Sequence, residues 1–275
     1  MSEIHSSALI GKKVQIGVGN KIGPHVIIED GVLIGSHNMI HASAYICRGT
    51  QIGNHNEIHM GAIIGHEPQD LSYKGVASFT RIGNYNQIRE YVTIHRGTKE
   101  DSATVIGNEN YIMAYCHIAH NCELGNKIIM VNQASLTGYC VVEDQAFLSG
   151  MTGFHQFMRI GRLAMVSALS ACNQDIPPFV TCGGRPAMAI GINLVGLRRA
   201  GIEESVRREI KQAYKYLYRS ELGLSNALEK IKSEFSSPEV KHFVEFIESS
   251  KRGIIGSSKE SEELFLARRS PDARD

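Results

Sequence analysis

The chain lacks the features that mark membrane, secreted or nucleic-acid-binding proteins. No run of 18 apolar residues occurs, so no transmembrane segment is predicted. The first residues, MSEIHSSALIGKK, lack the apolar core of a signal peptide. The 29 basic and 28 acidic residues balance, which gives no reason to expect a nucleic-acid partner. The six cysteines form no CxxC pair and are expected to be reduced, so we predict a cytoplasmic protein.

What the sequence has instead is a period of six residues. Stepping by six from Ile4 reaches isoleucine at every position up to Ile64. The register resumes at Ile82, and again at Ile106, from where it runs to Val166. In all, 25 large apolar residues share it. Neither the 3.6-residue repeat of a helix nor the two-residue repeat of a strand produces this spacing.

A six-residue period is typical of a parallel β-helix whose coils have three short faces. The apolar residue points into the prism, and stacked coils lie about 4.8 Å apart. A Gly-Asn pair often follows the apolar residue, and we expect it to turn the corner in a left-handed backbone conformation. This pair completes the tripeptides at 52–54, 82–84, 106–108 and 124–126.

The repeat also divides the chain into segments. Residues 1–190 are predicted to form the β-helix, with loops at 66–79 and 95–105 where the period breaks. Residues 191–255 change to the spacing of amphipathic helices. The polar tail at 256–275 is predicted to be disordered. The expected fold is therefore an all-β solenoid of hexapeptide repeats with a C-terminal α-helical domain.

Stacking brings three functional residue types into one column. His120, Gly138 and Gln156 are 18 residues apart, which is one coil per step. A histidine can remove a hydroxyl proton, and a glycine N–H can stabilise a tetrahedral oxyanion. His117 lies three residues before His120 and borders the same groove. This column favours acyl transfer.

Two other interpretations of the histidines remain open. The chain has twelve histidines, and many on a polar solenoid wall are expected to have no function. His95, His117 and His120 could also bind a metal ion, but no carboxylate pattern around them supports this. We therefore predict no metal in this site and no cofactor.

Seven segments resemble a known family. They match in order and separation, and the match extends to about residue 253: PQDLSYKG, IREYVTIHRGT, HIAHNC, LTGY, FHQFMRIG, QDIPPF and GINLVGLRRAG. The family is bacterial UDP-N-acetylglucosamine acyltransferase. The resemblance implies transfer of a 3-hydroxyacyl chain from acyl carrier protein to the 3-position of UDP-N-acetylglucosamine, the first step of lipid A biosynthesis. It also implies a left-handed β-helix and a homotrimer with active sites between subunits.

The resemblance assigns roles to individual residues. His120 matches the general base and Gly138 the glycine of the oxyanion hole. Asn193 and Arg199 match residues that hold the nucleotide. Met165 and Ala168 match the far end of the acyl groove, where side chains stop the chain. The remaining matches line the sugar, phosphate or acyl groove: Gln69, Asp70, His95, His117, His155 and Gln156.

Four positions depart from the family pattern. Ser72 replaces a common lysine, Tyr139 a histidine, Asn121 an aspartate and Val195 a glutamate. These changes around the site raise an alternative, in which the acceptor is the amine of a 3-amino analogue of the same sugar nucleotide. A third hypothesis is an inactive paralogue that serves as a binding or scaffold trimer. The column of His120, Gly138 and Gln156 is intact, which argues against an inactive protein.

Overall fold

The computed structural model describes residues 1–257, so most of the tail predicted to be disordered lies outside the described residues. Within this range, 28 short β-strands precede four α-helices. The strands, numbered in chain order, are β1 Glu3–Ile4, β2 Leu9–Ile10, β3 Gln15–Ile16, β4 Lys21–Ile22, β5 Ile27–Ile28, β6 Leu33–Ile34, β7 Met39–Ile40, β8 Tyr45–Ile46, β9 Thr50–Ile52, β10 Glu57–Ile58, β11 Ile63–His66, β12 Phe79–Ile82, β13 Gln87–Ile88, β14 Thr93–His95, β15 Ala103–Ile106, β16 Tyr111–Ile112, β17 His117–Ile118, β18 Glu123–Leu124, β19 Ile129–Met130, β20 Ser135–Leu136, β21 Val141–Val142, β22 Phe147–Leu148, β23 Gly153–Phe154, β24 Arg159–Ile160, β25 Met165–Val166, β26 Ala171–Cys172, β27 Val180–Gly184 and β28 Ala187–Ile192.

The strands form three sheets, here called A, B and C, which the chain visits in turn. Sheet A begins with β1, β4 and β7, sheet B with β2, β5 and β8, and sheet C with β3, β6 and β9. Neighbouring strands are parallel and pair in register, as when Ile4 lies opposite Ile22. The result is a left-handed parallel β-helix, so the predicted fold class is confirmed. We call its edges the A–B, B–C and C–A corners.

The six-residue ladder forms the core of the prism. From Ile22 to Val166 its side chains are buried, because each is covered by the ladder residues of the coils above and below. The first coil differs. Ile4 is 46% exposed and Ile10 is 38% exposed, since no coil lies beneath them. The ladder is therefore open to solvent at this end of the solenoid.

The left-handed backbone conformation occurs at the corners, but at the residue after the Gly-Asn pair and not within the pair. Backbone φ is positive at the residue after each Gly-Asn pair: His55, Tyr85, Glu109 and Lys127. The asparagine instead joins coils, since the amide N of Asn54 donates to Oδ1 of Asn84 at 2.7 Å. Glycine is needed for space, because a Cβ on Gly53 would lie 2.5 Å from the carbonyl oxygen of the next coil.

Two segments without strands leave the wall of the prism. Residues 67–78 join β11 to β12, and residues 96–102 join β14 to β15. In both cases the chain is passing from sheet B to sheet C. Both loops therefore stand at the B–C corner.

The solenoid ends in a hairpin and helices. Strands β27 and β28 pair antiparallel, an arrangement that the sequence did not predict. Four helices follow: α1 Leu194–Arg199, α2 Glu204–Tyr218, α3 Leu224–Glu234 and α4 Pro238–Glu248. Helix α2 packs on β28 as well as on α3 and α4, so the helices cover this end of the prism. Within residues 1–257 no helix has the length and apolarity needed to cross a membrane.

Candidate active site

His120 and Gly138 lie in equivalent positions of successive coils at the B–C corner. His120 follows β17 and Gly138 follows β20, and the amide N of Tyr139 donates to the carbonyl oxygen of His120 at 3.0 Å. A Cβ on Gly138 would lie 2.3 Å from Cε1 of His120, so only glycine permits this approach. The amide N–H of Gly138 donates to no residue in the range 1–257. It is available to a ligand beside the imidazole.

A hydrogen bond from Nδ1 orients the ring of His120. Its Nδ1 lies 3.1 Å from Oδ1 of Asn121. The backbone N–H of Thr98 donates to the same atom at 3.0 Å, so that atom is an acceptor and Nδ1 of His120 must donate. This leaves Nε2 as the nitrogen that can accept a proton. This is the form that a general base requires.

Asp70 faces that nitrogen from the loop at 67–78. Its Oδ2 lies 3.3 Å from Nε2 of His120. Its other oxygen accepts hydrogen bonds from the hydroxyl of Ser72 at 2.6 Å and from the Ser72 amide at 2.8 Å. These bonds lower the pKa of Asp70 below its usual value, so the group is a carboxylate at neutral pH. Ser72 thus orients an ionised Asp70 beside the imidazole, although the family pattern has lysine there.

Two further residues hold Asn121. The hydroxyl of Thr98 donates to Oδ1 of Asn121 at 2.9 Å, and the Tyr139 hydroxyl lies 2.8 Å from the Thr98 hydroxyl. The Tyr139 ring meets His120 edge-on at 5.3 Å and stacks on Phe157 at 4.8 Å. The two departures at Asn121 and Tyr139 are therefore joined through Thr98. Sequence reasoning missed Thr98, because the loop at 96–102 interrupts the period that would have located it.

A row of neutral histidines lies on sheet B next to His120. The Nδ1 of His117 lies 2.7 Å from the hydroxyl of Thr93, and its ring meets His95 edge-on at 4.9 Å. Burial, together with neighbouring histidines, lowers the pKa of His95 to about 4. Burial likewise lowers the pKa of His117. Both rings are therefore uncharged at neutral pH, and buried Nδ1 of His95 has no hydrogen-bond partner among the described residues.

The other predicted groove residues stand at the rim. Gln69 is exposed beside Asp70, and Gln156 is exposed one coil beyond Gly138. His155 is also exposed, and its Nδ1 accepts a hydrogen bond from Arg252 at 2.8 Å. Arg252 was missed, since nothing in the sequence links a residue beyond the last helix to a coil 97 residues earlier.

The residues predicted for the nucleotide and the acyl stop lie elsewhere. Asn193, Arg199 and Met165 line a cavity of about 450 Å³ between sheet A and α1. The side chain of Asn193 caps α1, accepting from the Gly196 amide at 2.8 Å. Ala168 is exposed at the A–B corner, three residues after Met165.

One chain therefore carries two separate groups of predicted site residues. His120, Gly138, Asp70, His117 and His95 meet at the B–C corner, whereas the cavity opens on sheet A. In a three-sided prism, face A lies opposite the B–C corner. A single site containing both groups thus requires a second chain.

Comparisons with known proteins agree with this architecture. Residues 175–255 match the family described as Udp N-acetylglucosamine O-acyltransferase, Domain 2. The acyl-[acyl-carrier-protein]–UDP-N-acetylglucosamine O-acyltransferase of Thermodesulfovibrio yellowstonii is 46% identical over 256 residues, which is 92% of this chain and 99% of that protein. The UDP-N-acetylglucosamine acyltransferase structure from Campylobacter jejuni has a TM-score of 0.89 and 38% identity, covering 93% of this chain and 100% of its own. That from Francisella novicida also has a TM-score of 0.89, with 34% identity, 98% coverage of this chain and 100% of its own.

Fold and sequence define one class, the acyltransferases built from hexapeptide repeats. Within that class, the chain belongs to the acyl-[acyl-carrier-protein]–UDP-N-acetylglucosamine O-acyltransferase family. The resemblance found in the sequence is therefore confirmed.

Proposed function

We propose that this protein transfers a 3-hydroxyacyl chain from acyl carrier protein to the 3-hydroxyl of UDP-N-acetylglucosamine, the first step of lipid A biosynthesis. Family membership supports the reaction type and both substrates. The observation that carries the assignment in this chain is the pair at the B–C corner. An imidazole whose Nδ1 is held by Asn121 lies against a glycine whose N–H has no partner among the described residues.

The chemistry follows from these two groups. Nε2 of His120 takes the proton of the sugar hydroxyl as its oxygen attacks the thioester carbonyl carbon. The carbonyl oxygen becomes an oxyanion, which the Gly138 N–H stabilises. Collapse of the tetrahedral intermediate breaks the C–S bond. The imidazolium of His120 then returns its proton to the leaving thiolate, which restores the base and yields ester and thiol.

Asp70 is assigned to sugar binding. Its carboxylate lies beside Nε2 of His120 and, being ionised, accepts hydrogen bonds from hydroxyl groups. A sugar hydroxyl that donates to Asp70 would therefore stand within reach of the base. The uncharged rings of His117 and His95 extend the wall of the groove along sheet B. The rim of the groove is extended by Gln69, His155 and Gln156. These residues would contact the parts of the two substrates that lie away from the reacting atoms.

The complete site is proposed to form between the subunits of a homotrimer. Face A of one chain, with Asn193, Arg199 and Met165, would meet the B–C corner of the next. Such a head-to-tail contact closes into a ring under threefold symmetry. Arg199 would then bind the nucleotide of a substrate whose sugar reaches His120. Met165 and Ala168 would limit the acyl chain.

The reaction is tested with purified protein, 3-hydroxyacyl carrier protein and each of two acceptors. Transfer to UDP-N-acetylglucosamine is expected. His120→Ala should lose about 10²–10⁴-fold in turnover, the usual contribution of a general base, with unchanged thermal unfolding. A strong preference for the 3-amino acceptor would select the N-acyltransferase alternative. No transfer to either acceptor would favour the scaffold hypothesis, and a near-normal rate in the variant would exclude His120 as the base.

The shared site has its own test. His120→Ala and Arg199→Ala damage opposite faces of one chain. If each site combines two chains, trimers assembled from equal amounts of the two variants should contain about a quarter as many intact sites as the wild type. An intact site there takes His120 from one variant and Arg199 from the other. Activity should be measured at low UDP-N-acetylglucosamine, where the Arg199 variant is most impaired. Failure of the mixture to exceed the average of the two parents would place the whole site within one chain. The cytoplasmic location stays a prediction.

A further inference from the structure

A second cluster of ionisable side chains lies on the sheet A side of the prism. His41 follows β7 and His59 follows β10, at the same position of two hexapeptides. Being 18 residues apart, they occupy successive coils, and their rings stack with centroids 4.7 Å apart and planes 24° apart. Neither residue takes part in the proposed reaction, since these histidines stand at the A–B corner and the proposed base stands at the B–C corner.

Glu57 places one carboxylate oxygen near a nitrogen of each ring. Its Oε1 lies 2.9 Å from Nε2 of His41 and 3.4 Å from Nε2 of His59. One ligand atom from each of the three residues lies within 4.8 Å of the others. In a tetrahedral zinc site with bonds of about 2.0–2.2 Å, neighbouring ligand atoms are roughly 3.3–3.6 Å apart. The distance from Glu57 to His59 falls in that range, whereas the distance from Glu57 to His41 is shorter and would lengthen on binding.

The second ring nitrogen of His59 faces a carboxylate, as the second nitrogen of a metal-bound histidine usually does. Nδ1 of His59 lies 3.5 Å from Oε1 of Glu90. Arg89 donates to the Glu90 carboxylate at 2.8 and 3.1 Å, which holds that carboxylate beside the ring of His59. A hydrogen on Nδ1 of His59 that faces Glu90 leaves Nε2 as the nitrogen that would bind an ion.

This arrangement leaves two lone pairs facing each other. With the hydrogen of His59 on Nδ1, its Nε2 presents a lone pair to Oε1 of Glu57 at 3.4 Å. A cation bound there would take both lone pairs and would replace the hydrogen bond that joins Nε2 of His41 to the same Glu57 oxygen at 2.9 Å. Two imidazole nitrogens and one carboxylate oxygen form a ligand set that suits zinc and similar ions.

We propose that His41, Glu57 and His59 form a binding site for a divalent first-row transition ion, with Zn²⁺ as the best fit and one coordination position open to water. The sequence did not predict this site, because Glu57 comes from the face and the histidines from the corner. The ion would join two successive coils. Its role would be structural, since none of its three ligands belongs to the group of residues that meets at the B–C corner.

The test uses the full-length protein, freed of metal with a chelator and titrated with ZnCl₂ by calorimetry. One Zn²⁺ per chain is expected, with thermal unfolding shifted to higher temperature as binding stabilises the folded state. His41→Gln, Glu57→Gln and His59→Gln should each weaken Zn²⁺ binding at least about tenfold and reduce the thermal shift. Glu90→Gln, which keeps all three ligands, should weaken it about 10–100-fold.

Two controls separate this site from other histidines. His25→Gln removes an exposed histidine outside the cluster and should bind Zn²⁺ like the wild type. His120→Ala removes the histidine of the B–C corner and should also retain tight binding. Substitution with Co²⁺ should give the visible absorption of a tetrahedral ion in the wild type and lose it in His59→Gln.

Three results would overturn the proposal. The first is wild-type protein that binds no Zn²⁺ at concentrations below a millimolar. The second is binding that survives unchanged in both His41→Gln and His59→Gln. The third is binding abolished by His120→Ala, which would assign the ion to the acyl-transfer site. Because each variant is checked by thermal unfolding without metal, a folding defect is recognised separately.

Discussion

Replacing Gly138 by alanine tests the proposed catalytic pair with one added methyl group. The new Cβ would lie 2.3 Å from Cε1 and 2.6 Å from Nε2 of His120, whereas ordinary contact begins at 3.4 Å. The imidazole must therefore retreat by about 1 Å, a displacement that can cost about 10²-fold in rate. That corresponds to about 2.7 kcal/mol of activation free energy. The backbone N–H remains, so the loss reports mainly on the position of the base.

The assay is steady-state turnover with both substrates saturating, alongside thermal unfolding. Gly138→Ala should lower kcat about 10²-fold, because the displaced ring also leaves its 3.1 Å contact with Asn121. Gly223→Ala is the matched control, since a Cβ there meets no atom within 4 Å. It should leave kcat unchanged. A folded Gly138→Ala enzyme with kcat within twofold of the wild type would refute the pairing of imidazole and glycine.

Three further predictions concern single positions. Asn121→Gly keeps the left-handed φ of 58° but removes the acceptor of His120, so kcat should fall about fivefold to tenfold, as loss of a hydrogen bond worth about 1 kcal/mol implies; unchanged kcat would refute its orienting role. Ala168→Met should shorten the preferred donor by several carbons in competition assays with graded chains, since each lost methylene contact removes about 0.8 kcal/mol; unchanged preference would remove Ala168 from the acyl stop. The pKa of His95 is about 4 in the folded protein and 6.5 in the unfolded chain. The unfolded chain therefore binds the proton first, and the free energy of unfolding of the protein should fall by up to about 1.4 kcal/mol per pH unit between pH 6.5 and pH 4. Above pH 6.5 His95 should not affect this free energy. Urea unfolding across this range should lose that slope in His95→Gln, and an identical slope would exclude His95 as its source.

The sequence was enough to predict the coils and the pairing of His120 with Gly138. Each ladder residue marks one face, so adding 18 to a residue number gives its neighbour wherever no loop intervenes. This holds between residues 118 and 154, and the two residues therefore lie in contact. Handedness did not follow from the period, because a repeat of six residues fits either hand and the usual crossover rule favours the other one.

The contacts made by the two loops could not be predicted from the sequence, for a physical reason. Asp70 was identified by resemblance alone, and its contact with His120 depends on how a loop packs against the corner. Thr98 had no signal at all, since its two partners, Asn121 and Tyr139, lie 23 and 41 residues away in the chain. The hairpin of β27 and β28 was missed because the six-residue period stops before it. Where the repeat ends, position is set by tertiary contacts that a periodic pattern does not encode.

The exposed first coil gives the solenoid a direction. Ile4, Leu9 and Ile10 are open to solvent at one end, whereas the hairpin and helices cover the other. Each coil contacts mainly its neighbours, so stability is a sum of local terms along the axis. Amide hydrogen exchange should therefore advance as a front from the first coil and reach the coil of His120 only after the coils that precede it. His120, the proposed base, stands several coils behind that front, so the molecule can fray at its open end while the proposed site keeps its geometry.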